Sequence, residues 1–344
     1  MNIRQVYEAA VEHGISQDPR GRAAVRKQLA RVKEQYDKLK GFEKEVFDLQ
    51  RLTNPYADTR VLNEMPDELK RVLVGIDAET PELVLVDRLR ERGRKIDGVI
   101  AHHPEGHALA GLADVMGVQT DIWVRFGVSV TVADAIMAPR AKEVGRRIKP
   151  TNTERAVTAA KMLGIPYMCM HTPADNCVSS YLQKMFDSGK HERVSDVLDE
   201  LREIPEYRAA AEVGQGPTLF TGSAESRCGR IFVDMTGGTE GPETLMEKLA
   251  AAGVGTVVHM HLGDKGREQA EKHHLNVVIA GHTSSDSVGL NLLADEIERR
   301  GGPTIEGFSG FTRVRRTKGR AKKAAKKASK KAAKRATRAS RKRA

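Results

Sequence analysis

Three short motifs of the sequence place histidine beside histidine or aspartate in patterns that suit metal binding. They are His102–Pro104 (HHP), His171–Asp175 (HTPAD) and Gly281–Asp286 (GHTSSD). Imidazole nitrogens and carboxylate oxygens are common ligands of divalent metals. Adjacent residues on an extended chain point in opposite directions, so His102 and His103 are better placed to bind two neighbouring ions than to share one. His282 and Asp286 stand four residues apart, which places both on one face of a helix.

Each motif alone also has a structural explanation. Two histidines at the end of a strand are commonly ordinary surface or core residues, and His171 could serve only to orient the backbone. Asp286 would be favoured near the start of a helix by the helix dipole. The motifs share one feature that points to function: each directly follows a predicted strand. The sites of α/β proteins gather at the carboxyl ends of strands, so we interpret the three motifs together as a metal site.

Alternating strands and helices must position these motifs. The sequence predicts short strands at Arg71–Ile76, Asp97–Ala101, Ile122–Val132, Ile165–Met170, Gly229–Met235, Thr256–Met260 and Asn276–Gly281. It predicts helices at Pro81–Arg92, Asn152–Leu163 and Pro242–Ala252, another ending at His274, and a last one running from the third motif to Arg299. Such alternation, with βαβ units in both halves, indicates an α/β fold.

The N-terminal segment, residues 1–55, has a different pattern and is predicted to be a helical arm. Apolar residues recur every three or four positions from Arg22 to Leu52, which indicates a long amphipathic helix or a helix pair with a break at Gly41. Such a helix either contacts a partner or packs on the body of its own chain. We prefer the second interpretation.

The positive charge of the chain is concentrated at its C-terminal end. Residues 313–344 hold 17 of the 57 Lys and Arg residues and no Asp or Glu, which leaves 40 basic and 46 acidic residues in residues 1–312. After Val314 this segment has no apolar residue larger than alanine, so we expect a disordered tail. A polycation of this kind binds nucleic acid without sequence preference, or else serves only as a solubilising appendage.

The composition excludes several classes of protein. No stretch approaches the roughly 18 to 20 apolar residues of a membrane helix, and Met1–Gly21 lacks the apolar run of a signal peptide. The odd number of cysteines (Cys169, Cys177 and Cys228) and the lack of CxxC spacing exclude a disulfide framework and a thiolate zinc knuckle. We therefore expect no membrane partner and a location in the cytoplasm, including its nucleoid.

Four sequence blocks resemble, in order, those of the Nif-three-like (NGG-one-interacting factor three) family, also labelled GTP cyclohydrolase I type 2. They are VLVGID at 72–77, DGVIAHHP at 97–104, HTPADN at 171–176 and VVIAGHTSSD at 277–286. The resemblance implies a two-lobed α/β domain over residues 56–312, a dinuclear metal centre and a homohexameric ring. The metal ligands that it implies are His102, His103, Asp175, His282 and Asp286.

The sequence departs from the family pattern at three places. Asp286 stands where the family usually has glutamate, and the family's TGE block is replaced by a segment with His259 and His261. Either histidine could supply a metal ligand, or both could form a hydrogen-bonded structural face. Residues 105–148, which contain the only tryptophan, Trp123, form an unaligned insertion that is a lid, an interface or scaffold.

The ligand types limit the chemistry that we expect. A nitrogen and oxygen site without sulfur suits two divalent ions of Zn, Mn, Fe or Ni. Paired ions of this kind commonly serve the hydrolysis of phosphoesters or cyclic amides, so we expect a hydrolase, of the GTP cyclohydrolase I type 2 or phosphoesterase kind, acting on a phosphate-bearing or nucleotide-like substrate. His171 and His107 are candidates for the general acid or base, and the glycine-rich segment 236–242 is interpreted as a tight turn. The alternative is a non-catalytic metal-containing scaffold or regulator tethered to nucleic acid by residues 313–344.

Overall fold

Nine strands in two sheets form the framework of the part that the structure, a computed structural model, describes, residues 1–316. The predicted disorder of the basic tail concerns residues 317–344, which lie outside the described residues. The strands are β1 (Thr59–Asn63), β2 (Arg71–Gly75), β3 (Gly98–Ala101), β4 (Tyr167–Met170), β5 (Thr218–Thr221), β6 (Arg230–Asp234), β7 (Val254–His259), β8 (Asn276–Ile279) and β9 (Thr304–Gly307).

Helices precede, connect and follow these strands. They are α1 (Ile3–Gln17), α2 (Arg22–Lys38), α3 (Gly41–Glu45), α4 (Thr80–Glu91), α5 (Gly106–Ala110), α6 (Leu112–Val115), α7 (Gly117–Arg125), α8 (Val130–Ile148), α9 (Arg155–Met162), α10 (Thr172–Ser188), α11 (Val194–Arg202), α12 (Pro205–Glu212), α13 (Leu245–Ala251), α14 (Asp264–Lys272) and α15 (His282–Arg299), with a 3₁₀ helix at Leu49–Leu52. The α/β class predicted from the sequence is confirmed. No helix within residues 1–316 is both long and apolar enough to cross a bilayer.

The two sheets repeat one arrangement of strands. The first has the order β1-β4-β3-β2-β9 and the second β5-β8-β7-β6. In each sheet the first strand is an antiparallel edge, and the other three strands of the repeat run parallel to one another. The carboxyl ends of β2, β3 and β4 therefore meet at one edge of the first sheet, and those of β6, β7 and β8 meet at one edge of the second.

Helices α10 and α15 follow the last strand of each repeat and pack against each other. Their contact is close because α15 has glycine at position 289. A Cβ atom there would lie 2.3 Å from the carbonyl oxygen of Ala174 in the first turn of α10. Since any side chain at this position would separate the two helices, Gly289 sets the distance between the first turn of α10 and the first turn of α15.

The insertion between β3 and β4 is helical and belongs to the scaffold. The strand predicted at Ile122–Val132 is wrong, because this segment contains the end of α7, a turn and the start of α8. Gly127 has a φ of 103° in that turn and separates the two helices. Trp123 is fully buried and packs with Ile122 and Phe232 of β6 in one apolar cluster that covers the second sheet. The alternating apolar residues of this segment therefore belong to two helices rather than to one strand.

The N-terminal helices differ in how they contact the body. In α1, Ile3, Val6 and Ala10 are fully buried in the core of the first sheet together with residues of α10 and α15. The predicted helix beginning at Arg22 is present as α2. Val25 is its only fully buried residue, and Leu29, Val32 and Tyr36 are half-buried. Further along, Phe42 is 76% exposed.

The last described residues are attached to the body. Arg313, the first residue of the predicted tail, has a side chain that is only 5% exposed and forms ion pairs with Asp295 and Glu298 of α15. The compact unit accordingly comprises Met1–Arg313.

Candidate metal centre

The three sequence motifs meet at one place. His102 and His103 follow β3, His171 precedes the first turn of α10, and His282 begins α15. Asp175 and Asp286 lie one turn further along these helices, on the same face as the histidine four residues before each. The structure therefore brings together all five of the expected metal ligands, and with them His171, which the sequence analysis named as a candidate acid or base.

Asp286 lies at the middle of the cluster. Its Oδ1 atom is 3.4 Å from His102 Nε2, and its Oδ2 atom is 3.7 Å from both His103 Nε2 and His282 Nε2. Asp175 approaches from the other helix, with its Oδ1 also 3.4 Å from His102 Nε2. These distances are longer than hydrogen bonds and leave room between the ligand atoms.

Three sets of side chains each have ligand atoms within 4.8 Å of one another. The sets are His102, His103 and His171; His103, His282 and Asp286; and His102, Asp175 and Asp286. The last two sets contain Asp286 in common and one of the two adjacent histidines each. This division is the one expected if His102 and His103 face two neighbouring ions.

Several polar atoms of the cluster are buried without a hydrogen-bond partner among the described residues. They are both ring nitrogens of His102, Oδ1 of Asp175, and both carboxylate oxygens of Asp286. Buried polar groups are nearly always satisfied in folded proteins, and a group of unsatisfied ones calls for an explanation. Divalent cations would satisfy the carboxylate oxygens and the Nε2 atom of His102, which faces both carboxylates, so the donor set fits a metal centre.

Two carboxylates orient the histidines from outside the cluster. Asp58, fully buried just before β1, accepts hydrogen bonds from His171 Nδ1 at 2.8 Å and from Thr172 Oγ1 at 2.6 Å. Asp77, which follows β2, lies 2.7 Å from His103 Nδ1. A carboxylate on the outer nitrogen of a ligating histidine fixes its tautomer and leaves Nε2 free to face the metal. Sequence reasoning missed both residues, although Asp77 follows a predicted strand as the motifs do.

Burial and charge shift the pKa values in the cluster. Burial lowers the pKa of His102 to about 4 and raises that of Asp175 well above its usual range. Burial would also lower the pKa of His171, but the charge of Asp175 and the hydrogen bond and charge of Asp58 outweigh it and raise the pKa to about 9. The positive charge around Asp175 is thus too small to offset its burial and the nearby charge of Asp286, a deficit that metal cations would remove.

A pocket with a cavity volume of about 60 Å³ adjoins the cluster. His171, Asp175, His282 and Asp286 line one wall, and residues of the second sheet line the other, His259 and His261 among them. The glycine-rich turn at 236–242 also borders the pocket, held by the amide of Gln119, which donates to the carbonyl oxygens of Gly237 and Thr239. His107, the other acid or base candidate, is exposed on α5 and lines no part of this pocket.

The fold has a relative of known structure. A NIF3 superfamily protein from Sphaerobacter thermophilus is 29% identical, matches 74% of this chain and 92% of its own, and has a TM-score of 0.65. More distant structures include reduced HcgD from Methanocaldococcus jannaschii (13% identity, 72% of this chain and 87% of that one, TM-score 0.44) and a protein from Thermus thermophilus (16%, 81% and 96%, TM-score 0.41). No family model and no curated protein matches the sequence.

The α/β fold is thus similar to that of a NIF3 superfamily protein, and its His/Asp cluster fits a metal-binding protein. The resemblance drawn from the four sequence blocks is thereby confirmed.

Proposed function

We propose that the chain binds two divalent metal ions and uses them to hydrolyse a phosphate-bearing or nucleotide-like substrate. His103 and His282 would hold one ion, His102 and Asp175 the other, and Asp286 would contact both. The observation that carries this proposal is the overlap of two ligand sets at Asp286, a buried carboxylate whose two oxygens have no partner among residues 1–316. His171, oriented by Asp58, offers a further nitrogen, with its Nε2 3.8 Å from Asp175 Oδ2.

The ligand set supports hydrolysis because bound divalent ions polarise phosphoryl or carbonyl oxygens and lower the pKa of water. The protein contributes the rest. Asp58 and Asp77 keep His171 and His103 in a fixed orientation, and Gly289 keeps Asp175 close to Asp286. The adjoining pocket gives a small substrate access to one side of the cluster. A mixed nitrogen and oxygen set fits Zn, Mn, Fe or Ni.

The test uses the full chain, stripped of metal and then reloaded with each of these ions. Metal content per chain and turnover of a panel of phosphomonoesters, phosphodiesters and nucleotides are measured together. We expect two ions per chain and a rate that depends on them. Bound metal without turnover of any member of the panel would contradict the hydrolase assignment.

A second candidate function is a metal-containing scaffold or regulator that is tethered to nucleic acid. The observation that favours it is the concentration of 17 basic residues in residues 313–344 of a chain whose remainder is acidic. Under this proposal the metal ions would stabilise the fold, and nucleic-acid affinity would reside in the tail. The hydrolysis panel separates the two candidates, because only the first requires metal-dependent turnover.

We also propose that the protein assembles as a homohexamer. The family resemblance supports this assembly, and exposed apolar side chains such as Phe42, Val46 and Leu49 offer a surface that a second copy could cover. Mass measurement of the native full chain tests it, and a monomer at micromolar concentration would refute it.

A further inference from the structure

The second sheet repeats the polar positions of the metal cluster. In the first sheet Asp77 follows β2 and lies 2.7 Å from Nδ1 of His103, which follows β3. In the second sheet Asp234 ends β6 and its Oδ2 lies 3.8 Å from Nδ1 of His259, which ends β7. Because the strands correspond in order and direction, the two aspartate–histidine pairs occupy equivalent places in the two repeats.

Each repeat also has a pair of histidines that follow its third and fourth strands. His102, after β3, and His171, after β4, have ring centroids 4.8 Å apart. His261, after β7, and His282, at the start of α15 after β8, are also 4.8 Å apart. Both repeats therefore place imidazoles at the exits of their third and fourth strands, and three of these four, His171, His261 and His282, line the pocket.

The second repeat nevertheless lacks a complete ligand set of its own. His282 and Asp286 belong to the cluster of the first repeat, whereas Asp234, Glu240, His259 and His261 belong to none of the three sets found in residues 1–316. The leftover residues are thus too dispersed to hold an ion in this conformation. They form a wall of the pocket opposite the metal cluster and are free to contact an organic ligand.

Two atoms of this wall indicate a ligand. His259 is 4% exposed, and its Nε2 atom is buried without a hydrogen-bond partner in the described part of the chain. Gln119 is 2% exposed, and its Oε1 atom is equally unpartnered although its amide nitrogen makes two hydrogen bonds. Both residues line the pocket, so a bound molecule could satisfy both atoms.

The chemistry of the wall is that of hydrogen-bond acceptors. Gln119 presents its carbonyl oxygen, and Asp234 and Glu240 present carboxyl groups. The Asp234 carboxylate favours a proton on Nδ1 of His259, which leaves a lone pair on Nε2. Burial lowers the pKa of His259 to about 3, so the ring stays neutral, and burial together with the charge of Glu240 raises the pKa of Asp234 to about 7. A donor group, and above all a cationic one, would relieve this excess of acceptors.

We propose that Gln119, Asp234, Glu240 and His259 form the subsite that selects the substrate by binding an amino or amidino group, next to the oxygen atoms held at the metal cluster. Only the part that concerns oxygen atoms held at the metal cluster rests on the proposed function; the binding of an amino or amidino group does not. The substrate class is then a small phosphate ester or nucleotide that carries an N–H donor at its other end.

Matched pairs of ligands test the subsite. The series runs from aminoethyl phosphate to aminohexyl phosphate, and each member is paired with the alkyl phosphate in which a methyl group replaces the amino group. Dissociation constants are measured by calorimetry on the full chain, with and without bound metal. We expect at least one chain length at which the amino compound binds about tenfold more tightly, the usual effect of a hydrogen bond to a charged group.

Variants test whether this wall of the pocket causes the preference for the amino compound. Asp234→Asn should abolish most of the preference for the amino compound while the metal content stays unchanged. Glu240→Gln, a second change at the more accessible edge of the wall, should have the same effect. The control is Glu243→Gln, which removes the same charge from a half-exposed residue that pairs with Lys265 and does not line this pocket. The preference should survive in the control.

The possible failures are distinguishable. Equal affinity within every pair, or a preference that persists in both wall variants, would overturn the inference and leave the metal proposal intact. A chain that binds no metal would overturn the proposed function alone. In that case the metal-free chain still tests the subsite. If it prefers the amino compounds and loses this preference in Asp234→Asn, the subsite is supported; if it shows no such preference, the subsite is overturned.

Discussion

Replacing Asp286 by Asn tests the metal centre most directly. Both carboxylate oxygens contact the ligand nitrogens of the cluster, at 3.4 Å for Oδ1 and 3.7 Å for Oδ2, and the residue belongs to two ligand sets. Asn has nearly the same shape but no charge, so the variant should fold. Since the side chain is 1% exposed, removal of its charge also eliminates a desolvation cost in the metal-free protein.

The magnitude follows from the lost charge. Two unit charges about 4 Å apart attract by about 4 kcal/mol at an effective dielectric constant of about 20, and a divalent ion doubles this gross attraction. Water and the new amide recover part of it, so we expect a net loss of about 3 kcal/mol, or about a hundredfold in Kd, for each ion. Both ions should be affected because Asp286 is common to both sets.

Thermal unfolding measures the effect. Free metal at about one hundred times Kd stabilises a protein by about 2.7 kcal/mol for each bound ion, so two ions together should raise the Tm by about 5 to 10 °C. In the Asp286→Asn chain the same metal concentration would only equal Kd, and the rise should shrink to about 1 °C. The control is Asp264→Asn, which removes one charge from a 90% exposed side chain on α14 and should leave the rise unchanged.

Metal content per chain is the second readout. We expect two ions in the parent chain and in Asp264→Asn, and fewer than one in Asp286→Asn after dialysis. The reasoning is refuted if Asp286→Asn keeps both its metal content and its metal-dependent rise in Tm. Unfolding curves recorded without metal give the baseline of each protein, so that the rise measured above that baseline reports binding alone.

Three further changes have defined outcomes. Gly289→Ala forces α10 and α15 apart and should reduce both the metal-free Tm and the metal content, whereas Ala294→Gly on the same helix should lower the Tm alone. Asp58→Asn releases the Nδ1 atom of His171 and should weaken metal binding about ten- to a hundredfold without unfolding the chain, as titration of the metal would show. A chain ending at Arg316 should lose the salt-sensitive affinity for duplex DNA that we expect of the full chain, while its Tm and metal content stay the same; affinity retained in the shorter chain would place the nucleic-acid contact elsewhere.

The sequence predicted the central strands of both sheets but not three of the edge strands. Runs such as VLVG in β2 and VVI in β8 are short, apolar and β-branched, which is the composition of a strand buried between neighbours. Strands β1, β5 and β9 lie at sheet edges, and their sequences mix polar with apolar residues. Whether such a segment becomes a strand depends on the partner that it meets, which local patterns do not encode.

In the site, too, some residues are recognisable from local sequence patterns, whereas others depend on contacts between distant parts of the chain. The three motifs were found because each directly follows a recognisable strand, and the family resemblance then selected the five ligands among their residues. Asp58 had no such signal: its function depends on its distance from His171, which follows it by more than a hundred positions. Gly289 likewise becomes necessary only through its contact with Ala174 on another helix. Support residues of this kind are set by tertiary packing, and a single sequence does not identify them.

Helices α6 to α8 of the insertion follow a strand of the first sheet but complete the hydrophobic cover of the second. A segment encoded in one half of the chain therefore stabilises the other half, and α10 and α15 join the halves a second time. Neither half can separate from the other without exposing Trp123 and the apolar faces of these helices. Heat or denaturant should consequently melt residues 1–313 in one cooperative step, and proteolytic fragments that correspond to a single sheet should not persist as folded species.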